Sequence, residues 1–465
     1  MSLNIPFFTS DNAILNKAAR IAAGDIAGNC IPFKDGLLQE AEVCIMAGME
    51  YDTPWTRDAA INTMNAMAIM DPDVAYNTLL SVCEERDGKN YIGGQYWDAI
   101  IWAIGAWQYY LVTLSEEFLD FAITTIENSI EYFEATEFDP EDGLFRGAAV
   151  YGDGIAAYPD KYANMKGHLP AIFNWPDVNP EKKVQQGYGL PIKALSTNCV
   201  YYAAYVVLSK MLERKKRDTE KWLSKAQRLK DTINRNFWNP TTGRYDYLFD
   251  GEIRCESEEA LGLAFAVLFG IADEEKCKSI AEYTSVTDHG IACVWPSFQR
   301  YRIGNHYGRH SGTIWPHAQG YWALAMLRSG FAQAFEKEYY SLTYKAVRDM
   351  QFAEIYHPVT GEIYGGLQEE MTEGFLLSKS REKQTWSATA YWAMIYYGVF
   401  GLNFTPDVVE VKPYLPIGVD HAELQNLKIG DAVITIKVDR YSTAPRTIEI
   451  PRNLQGRHTF QLGCI

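Results

Sequence analysis

The chain has 465 residues, of which 47 % are hydrophobic and 22 % are charged, the usage of an ordinary globular protein. Its 43 lysine and arginine residues face 59 aspartate and glutamate residues, which gives a formal net charge of −16. Because an acidic chain is repelled by phosphate backbones and anionic lipid, neither nucleic acid nor a membrane is an expected partner. No apolar run is long enough to span a bilayer.

Apolar residues recur with the 3.6-residue period of a helix over most of the chain before residue 404. Twelve helices are predicted, at 11–28, 56–70, 72–86, 95–114, 116–135, 195–214, 217–236, 257–269, 273–283, 312–329, 332–351 and 384–401. Twelve is the number that six helical hairpins require. We therefore expect a mainly α fold, an (α/α)6 toroid formed by residues 1–403.

The connections between these helices differ in length, and the sequence changes character near the C-terminus. Long connections fall at 136–194, 284–311 and 353–383, and long loops in a regular helical array are where function usually lies. After residue 403, short alternating segments at 408–411, 432–438 and 447–450 predict strands. We expect residues 404–465 to form a small β appendage packed on the toroid.

The eight cysteines are scattered, with no Cys-x-x-Cys pair and no neighbouring histidine pattern of the kind that zinc requires. They are interpreted as free thiols, and neither a metal nor an organic cofactor is expected. The N-terminus has no basic segment and no apolar stretch of signal-peptide length. This favours the cytoplasm, or the periplasm if an export signal has been removed. The oligomeric state stays open.

Three motifs combine charged residues with tryptophan and proline. Residues 51–58 (YDTPWTRD) place Arg57 beside Asp58 at a helix start, where the pair can hold vicinal hydroxyl groups or form a structural ion pair. Residues 310–317 (HSGTIWPH) open a helix. Residues 350–361 (MQFAEIYHPVTG) are followed by QTWSA at another helix start.

These motifs resemble those of the six-hairpin glycosidases, nearest to the processing α-glucosidase and glucoamylase families. The resemblance implies that Arg57 and Asp58 grip the non-reducing sugar, and that Glu354 is the catalytic base. It also implies that Trp315 lines a sugar subsite and that Trp97 and Asp98, before a helix start, contact substrate. Metal is not part of this chemistry.

The same resemblance implies that the general acid lies in the loop that contains DPEDGLFRG at 139–147 and YGDGIAAYP at 151–159, which indicates Asp153. Gly154 and the two following alanines depart from the family pattern. Asp177 is the competing acid, because its Trp-Pro neighbours could raise a carboxyl pKa by desolvation. The Trp-Glu-Glu acid of the glucoamylases is absent from the sequence.

Aromatic residues make up 14 % of the chain, and tyrosine is frequent. Rings of this kind either fill a helical core or stack on the apolar faces of sugars. The tryptophans expected to form the walls of a sugar site are Trp55, Trp97, Trp315 and Trp386. His317 is placed beside them among the substrate-binding residues, although a structural role also explains a histidine there.

Cleavage of an acetal requires a proton for the departing oxygen and a nucleophile at the anomeric carbon, hence one acid and one base. When the two carboxyl groups are about 6.5–9.5 Å apart, a water fits between base and sugar and the anomer is inverted. We therefore predict an inverting, exo-acting hydrolase of an α-glucoside or a related oligosaccharide. The alternatives are a disaccharide phosphorylase, an α-L-rhamnosidase-like hydrolase and an inactive carbohydrate-binding relative.

Overall fold

The computed structural model describes residues 5–163, 170–370 and 374–464. Each predicted helix has a counterpart within these ranges, and the fold is a mainly helical (α/α)6 toroid with strands at its C-terminus. The helices are α1 (Ala13–Gly28), α2 (Thr56–Asn62), α3 (Pro72–Ser81), α4 (Trp102–Thr113), α5 (Glu116–Glu137), α6 (Leu195–Arg214), α7 (Glu220–Phe237), α8 (Ala260–Leu268), α9 (Glu274–Tyr283), α10 (Pro316–Arg328), α11 (Ala332–Asp349) and α12 (Thr385–Ala393).

Some helices are extended by short segments of other geometry. A π-helical segment, Thr63–Met67, joins α2 to the turn Ala68–Met70, and a second, Met394–Val399, follows α12. The 3-10 turn Ala99–Ile101 leads into α4. Further turns lie in the long loops, at Ile155–Ala157, Asp160–Ala163, Ile172–Asn174, Trp175–Val178 and Gln299–Tyr301.

The even-numbered helices form the inner ring of the toroid. They contact one another in the order α2, α4, α6, α8, α10, α12 and back to α2, so the ring is closed. Every residue of α2 is buried, whereas the outer helix α7 buries only a stripe of residues spaced three or four apart. This difference explains why the outer helices show the clearer amphipathic pattern in the sequence.

Several helix boundaries differ from the prediction, and at two of them residues predicted as helix pair as strands. The segment predicted as 72–86 ends as a helix at Ser81, and Cys83–Arg86 pairs instead with the strand Lys89–Ile92. Asp87 and Gly88 both have positive φ, the geometry of a two-residue hairpin turn, which Asp-Gly favours. The helix predicted from residue 257 begins at Ala260, because Glu258–Glu259 pairs with Val294–Trp295.

The C-terminal strands form two small sheets. The predicted strands at 408–411, 432–438 and 447–450 are present, but two nine-residue strands were missed. A bulge between Leu424 and Leu427 shifts the alternation in one of them, and the other is largely exposed. The first sheet has the order Phe7–Ser10, His421–Ile429, Asp431–Asp439, Gln455–Gly463, and the second the order Leu402–Phe404, Val408–Val411, Ile448–Pro451. The division into 1–403 and 404–465 stays a prediction.

Short ladders tie the loops of the toroid together. They pair Cys30–Phe33 with Glu42–Ile45, Phe138–Asp139 with Leu144–Phe145, Trp238–Asn239 with Arg244–Tyr245, Val286–Thr287 with Gly290–Ile291, and Leu367–Glu369 with Phe375–Leu377. In a three-stranded ladder, Leu248–Phe249 lies between Lys193–Ala194 and Arg254–Cys255 and pairs with both. None of the described helices combines the length and the apolar character that a bilayer crossing requires.

Candidate active site

A pocket of about 250 Å³ opens where inner helices begin. Its lining includes the first turns of α2 and α12 and the residue before α10, together with parts of the loops 136–194, 284–311 and 353–383. The lining residues are Ala47, Tyr51, Trp55, Arg57, Asp58, Gln95, Tyr151, Asp153, Gly154, Pro170, Ala171, Phe173, Arg309, His310, Trp315, Glu354, Gln368, Gln384 and Trp386. The toroid thus brings Asp153 and Glu354, which are far apart in sequence, to one pocket.

Glu354 is buried and accepts three hydrogen bonds that fix its carboxylate. Tyr51 Oη donates to Oε1 at 2.9 Å, and Arg309 Nη2 donates to Oε2 at 2.7 Å. The backbone amide of Arg381 donates to Oε2 at 3.1 Å. One guanidinium, one backbone amide and one hydroxyl therefore hold the group in a single orientation at the pocket wall.

Asp153 keeps 37 % of its side chain exposed to the pocket. Its Oδ2 accepts from Arg57 Nη2 at 3.1 Å, and His310 Nε2 lies 3.7 Å from its Oδ1. Desolvation raises the pKa of the Asp153 carboxyl, but the neighbouring positive charges, of which Arg57 is the strongest, together outweigh it, so this pKa lies below its ordinary value. The carboxylate is consequently ionised.

Arg57 links a buried network behind the pocket. Its Nη1 donates to Asp98 at 2.9 Å and also to Gln95, and its Nε lies 3.8 Å from Asp58. Burial raises the pKa of Asp58 to about 8 despite the charge of Arg57, and the charges of Glu354 and Asp153 add to this rise. Asp58 is therefore protonated at neutral pH, and its hydroxyl can donate to a ligand.

Three of the predicted tryptophans line the pocket. The indoles of Trp315 and Trp386 meet at 71° with centroids 5.8 Å apart, and Trp315 also stacks on His310 at 4.8 Å. Burial lowers the pKa of His310 to about 3, so this ring is neutral and serves as part of the apolar wall. Trp55 is half-exposed at the rim.

Two bulky pocket residues have backbone angles that such side chains seldom adopt. Trp55 has φ 42° and Tyr151 has φ 54°. A positive φ at a bulky aromatic residue is strained and persists only where the surrounding structure enforces it, and such residues cluster at functional sites. Tyr151 lies two residues before the pocket carboxylate Asp153. Trp55 lies two residues before Arg57, which donates a hydrogen bond to that carboxylate.

The structure does not bring the remaining predicted residues to the pocket. Asp177 follows the buried Trp175 in a helical turn that directs it outward, and its side chain is 75 % exposed, so the expected desolvation is absent. Trp97 packs beneath Phe173, and Asp98 holds Arg57 from behind. His317 is buried behind the wall, stacked on Trp386 at 4.0 Å.

Several pocket residues were missed in the sequence. Tyr51 lies inside the motif at 51–58 and Arg309 directly before the one at 310–317, so adjacency to a motif was the available signal. Gln384 begins a motif that was recognised, but Phe173 lies in a loop with no motif of its own. Among the described residues, no group of three or more His, Cys, Asp or Glu side chains is placed to hold a metal ion.

A closed helical toroid with two carboxylates and tryptophan walls at one mouth defines the six-hairpin glycosidase class. A family model, "Mannosylglycerate hydrolase MGH1-like glycoside hydrolase domain", matches residues 53–387. The chain belongs to this family, and the protein is a glycoside hydrolase. No curated protein sequence matches it.

Solved structures share this fold at low sequence identity. A GH63 mannosylglycerate hydrolase from Thermus thermophilus, in complex with glucose, has a TM-score of 0.61 at 14 % identity, covering 81 % of this chain and 99 % of that one. A neutral trehalase from Saccharomyces cerevisiae gives 0.52 at 13 %, over 82 % and 80 %. A protein described as a sialidase gives 0.68 at 15 %; 96 % of this chain is covered, but it spans only 40 % of that protein's length.

Proposed function

We propose that the protein hydrolyses an α-linked glucoside or a related oligosaccharide from its non-reducing end with inversion, with Asp153 as general acid and Glu354 as general base. The single observation that carries the proposal is that these two carboxylates line one pocket together with the indole rings of Trp315 and Trp386. One acid, one base and a desolvated sugar between them are what cleavage of an acetal requires.

Glu354 suits the role of base because its position is fixed. The hydrogen bonds from Tyr51, Arg309 and the Arg381 amide leave its carboxylate unable to swing away from the pocket. A water between this carboxylate and the anomeric carbon would lose a proton to Glu354 as the bond to carbon forms. Both pocket carboxylates also stabilise the positive charge that develops on the sugar ring.

Asp153 must gain a proton to act as the acid. Its pKa is lowered by neighbouring positive charges, chiefly that of Arg57, but more than a third of the side chain, 37 %, is open to water. A bound sugar removes that water, and desolvation raises a carboxyl pKa. Substrate binding thereby favours the protonated form, which then gives its proton to the departing oxygen.

Exo action is supported by the way the pocket ends. On the side of Arg57 and Asp58 that faces away from the pocket, the inner helices pack closely. The buried Asp98 accepts a hydrogen bond from Arg57 on that side. Arg57 and the protonated Asp58 would grip hydroxyl groups of the terminal sugar. A chain that continued beyond this sugar would meet the packed helices, so the terminal residue is the one that fits.

The family name introduces mannosylglycerate as a second candidate substrate. Among the described residues, both arginines of the pocket lining are paired with carboxylates, Arg57 with Asp153 and Arg309 with Glu354. Because each arginine already pairs with a carboxylate of the protein, neither is available to neutralise an acidic leaving group. The pocket therefore favours a neutral leaving group. We therefore place neutral α-glucosides first.

A substrate screen with identification of the first-formed anomer tests the proposal. We would incubate the protein with maltose, trehalose, mannosylglycerate and aryl glycosides, and follow the products by NMR before mutarotation. The sugar whose anomeric carbon is attacked should appear first as its β-anomer, so that trehalose gives equal amounts of the two anomers. Release of that sugar as the α-anomer would contradict the mechanism, and turnover that requires phosphate would instead identify a disaccharide phosphorylase.

A further inference from the structure

Phe173 is an exposed aromatic side chain at the pocket, outside the motifs discussed above. Nearly half of it, 48 %, is exposed, although it is large and apolar. One face of the ring lies over buried Trp97, nearly parallel at 25° with centroids 6.5 Å apart. A ring that is supported on one side and open on the other presents a fixed apolar surface to a ligand.

The backbone links Phe173 to the proposed acid. Ile172 N donates to the carbonyl oxygen of Asp153 at 2.9 Å, and Ile155 N donates to that of Pro170 at 2.7 Å. An antiparallel bridge between Gly154 and Ala171 lies between these bonds. The segment that ends at Phe173 therefore runs beside the acid and holds a set position relative to it.

Position beside the acid determines which part of a substrate Phe173 meets. The acid gives its proton to the oxygen of the leaving group, so that group departs on the acid's side of the pocket. The terminal sugar lies on the other side of the scissile bond, near Arg57 and Asp58. An open ring beside Asp153 is thus placed for the leaving group.

We propose that Phe173 is the stacking platform for the leaving group and sets a preference for leaving groups that contain a ring, either a second sugar or an aryl group. The proposal rests on the function proposed above, with Asp153 as acid. The apolar face of a pyranose or an aryl ring would lie on the exposed face of Phe173, with Trp97 behind it.

The test compares two substrates that share a sugar and differ in the leaving group. These are the 4-nitrophenyl α-glycoside and the α-glycosyl fluoride of glucose, or of mannose if the wild type cleaves only that sugar. We expect Phe173→Ala to reduce kcat/KM about tenfold on the aryl glycoside, mainly through KM, and less than about twofold on the fluoride. Phe173→Trp should retain the preference for the aryl substrate.

Controls separate a platform from a purely structural role. Tyr441, exposed in a turn of the C-terminal sheet, provides a matched aromatic variant, Tyr441→Ala, which should match the wild type on both substrates. If Phe173→Ala lowers kcat/KM equally on both substrates, or on neither, Phe173 is not a platform for the leaving group. If instead the wild type cleaves neither sugar, or Glu354→Gln stays fully active, the proposed function itself has failed.

Discussion

The two ends of the inner helical ring differ in the size and the polarity of their cavities. At the end where inner helices begin, Arg57, Asp58 and Trp386 lie in first turns and surround the pocket with the loop carboxylates. At the end where they finish, a larger cavity of about 890 Å³ lies between the toroid and the C-terminal strands. Its lining is mostly apolar, with residues such as Leu268 and Leu327. Size alone would therefore point to the wrong end.

Helix polarity gives a physical reason for the contrast. The first turn of a helix has free amide groups and the positive end of the peptide dipoles, which stabilise carboxylates. Asp58 lies in the first turn of α2, Asp98 precedes α4 and Glu259 precedes α8. Burial works against this stabilisation and raises the pKa of each of the three carboxyl groups. Among the residues that the structure describes, the lining of the far cavity has no aspartate; its charged residues are Arg328, Glu410 and Lys412, and its neutral polar groups include the Asn65 amide and the Tyr321 hydroxyl.

The largest effect is expected at the base. Glu354→Gln should lower kcat by roughly 10²–10⁴-fold, the scale of a missing general base, while substrate binding is retained. Steady-state kinetics and a direct binding titration check the two parts. The exposed Glu362, in the same loop, supplies the control Glu362→Gln, and normal turnover by Glu354→Gln would remove the base assignment.

The second effect separates the two aspartates predicted as acid. Asp153→Asn should lower kcat/KM on an alkyl glycoside by roughly 10²–10³-fold, because an alcohol departs poorly without a proton. The loss should be smaller on a glycosyl fluoride, whose leaving group needs little protonation. Asp177→Asn, the outward-facing control, should remain within twofold of the wild type. An unchanged rate in Asp153→Asn would exclude it as the acid.

The third effect concerns stability at the pocket end and depends on pH. Burial raises the pKa of Glu259 to about 8 from an ordinary value of 4.5, so the folded protein holds a proton that the unfolded chain loses. The stability due to this group is complete below pH 4.5 and is lost as pH rises toward 8, at about 1.4 kcal/mol per pH unit.

Glu259→Gln removes that dependence. The variant should equal the wild type in Tm near pH 4.5 and exceed it by roughly 5 °C at pH 8.5, as measured by thermal unfolding across pH. The exposed Glu275→Gln serves as control and should follow the wild-type curve. A Tm difference that does not grow with pH would show that Glu259 is not protonated in the fold.

The smallest effect is expected at the far end. Tyr321 is buried, and its hydroxyl has no hydrogen-bond partner among the described residues. Removing an unpaired buried hydroxyl is close to neutral, so Tyr321→Phe should change Tm by less than about 3 °C and leave kcat/KM unaltered. A tenfold fall in kcat/KM would show that the far end takes part in the reaction, and the contrast between the ends would break down.

The sequence by itself determined the helices, because 3.6-residue periodicity and capping residues such as Asp71 act within a few positions of the chain. Through the resemblance of its contiguous motifs to those of the six-hairpin glycosidases, it also indicated Glu354, Arg57 and Asp58 as candidate site residues. The β-hairpin formed by Cys83–Arg86 and Lys89–Ile92 was not predicted, because the apolar periodicity of the preceding helix continues into it. Asp87-Gly88 is nevertheless a typical sequence for a two-residue hairpin turn.

Only the tertiary structure decided which side chains meet. The sequence indicated Asp153 as the acid and left Asp177 as its competitor, and the closed ring turns the first into the pocket and leaves the second exposed. The contacts of Glu354 with Tyr51 and Arg309 join residues from three separate loops. Periodicity carries no information about such meetings, because they depend on how six hairpins close into a ring and on which helix ends that ring brings together.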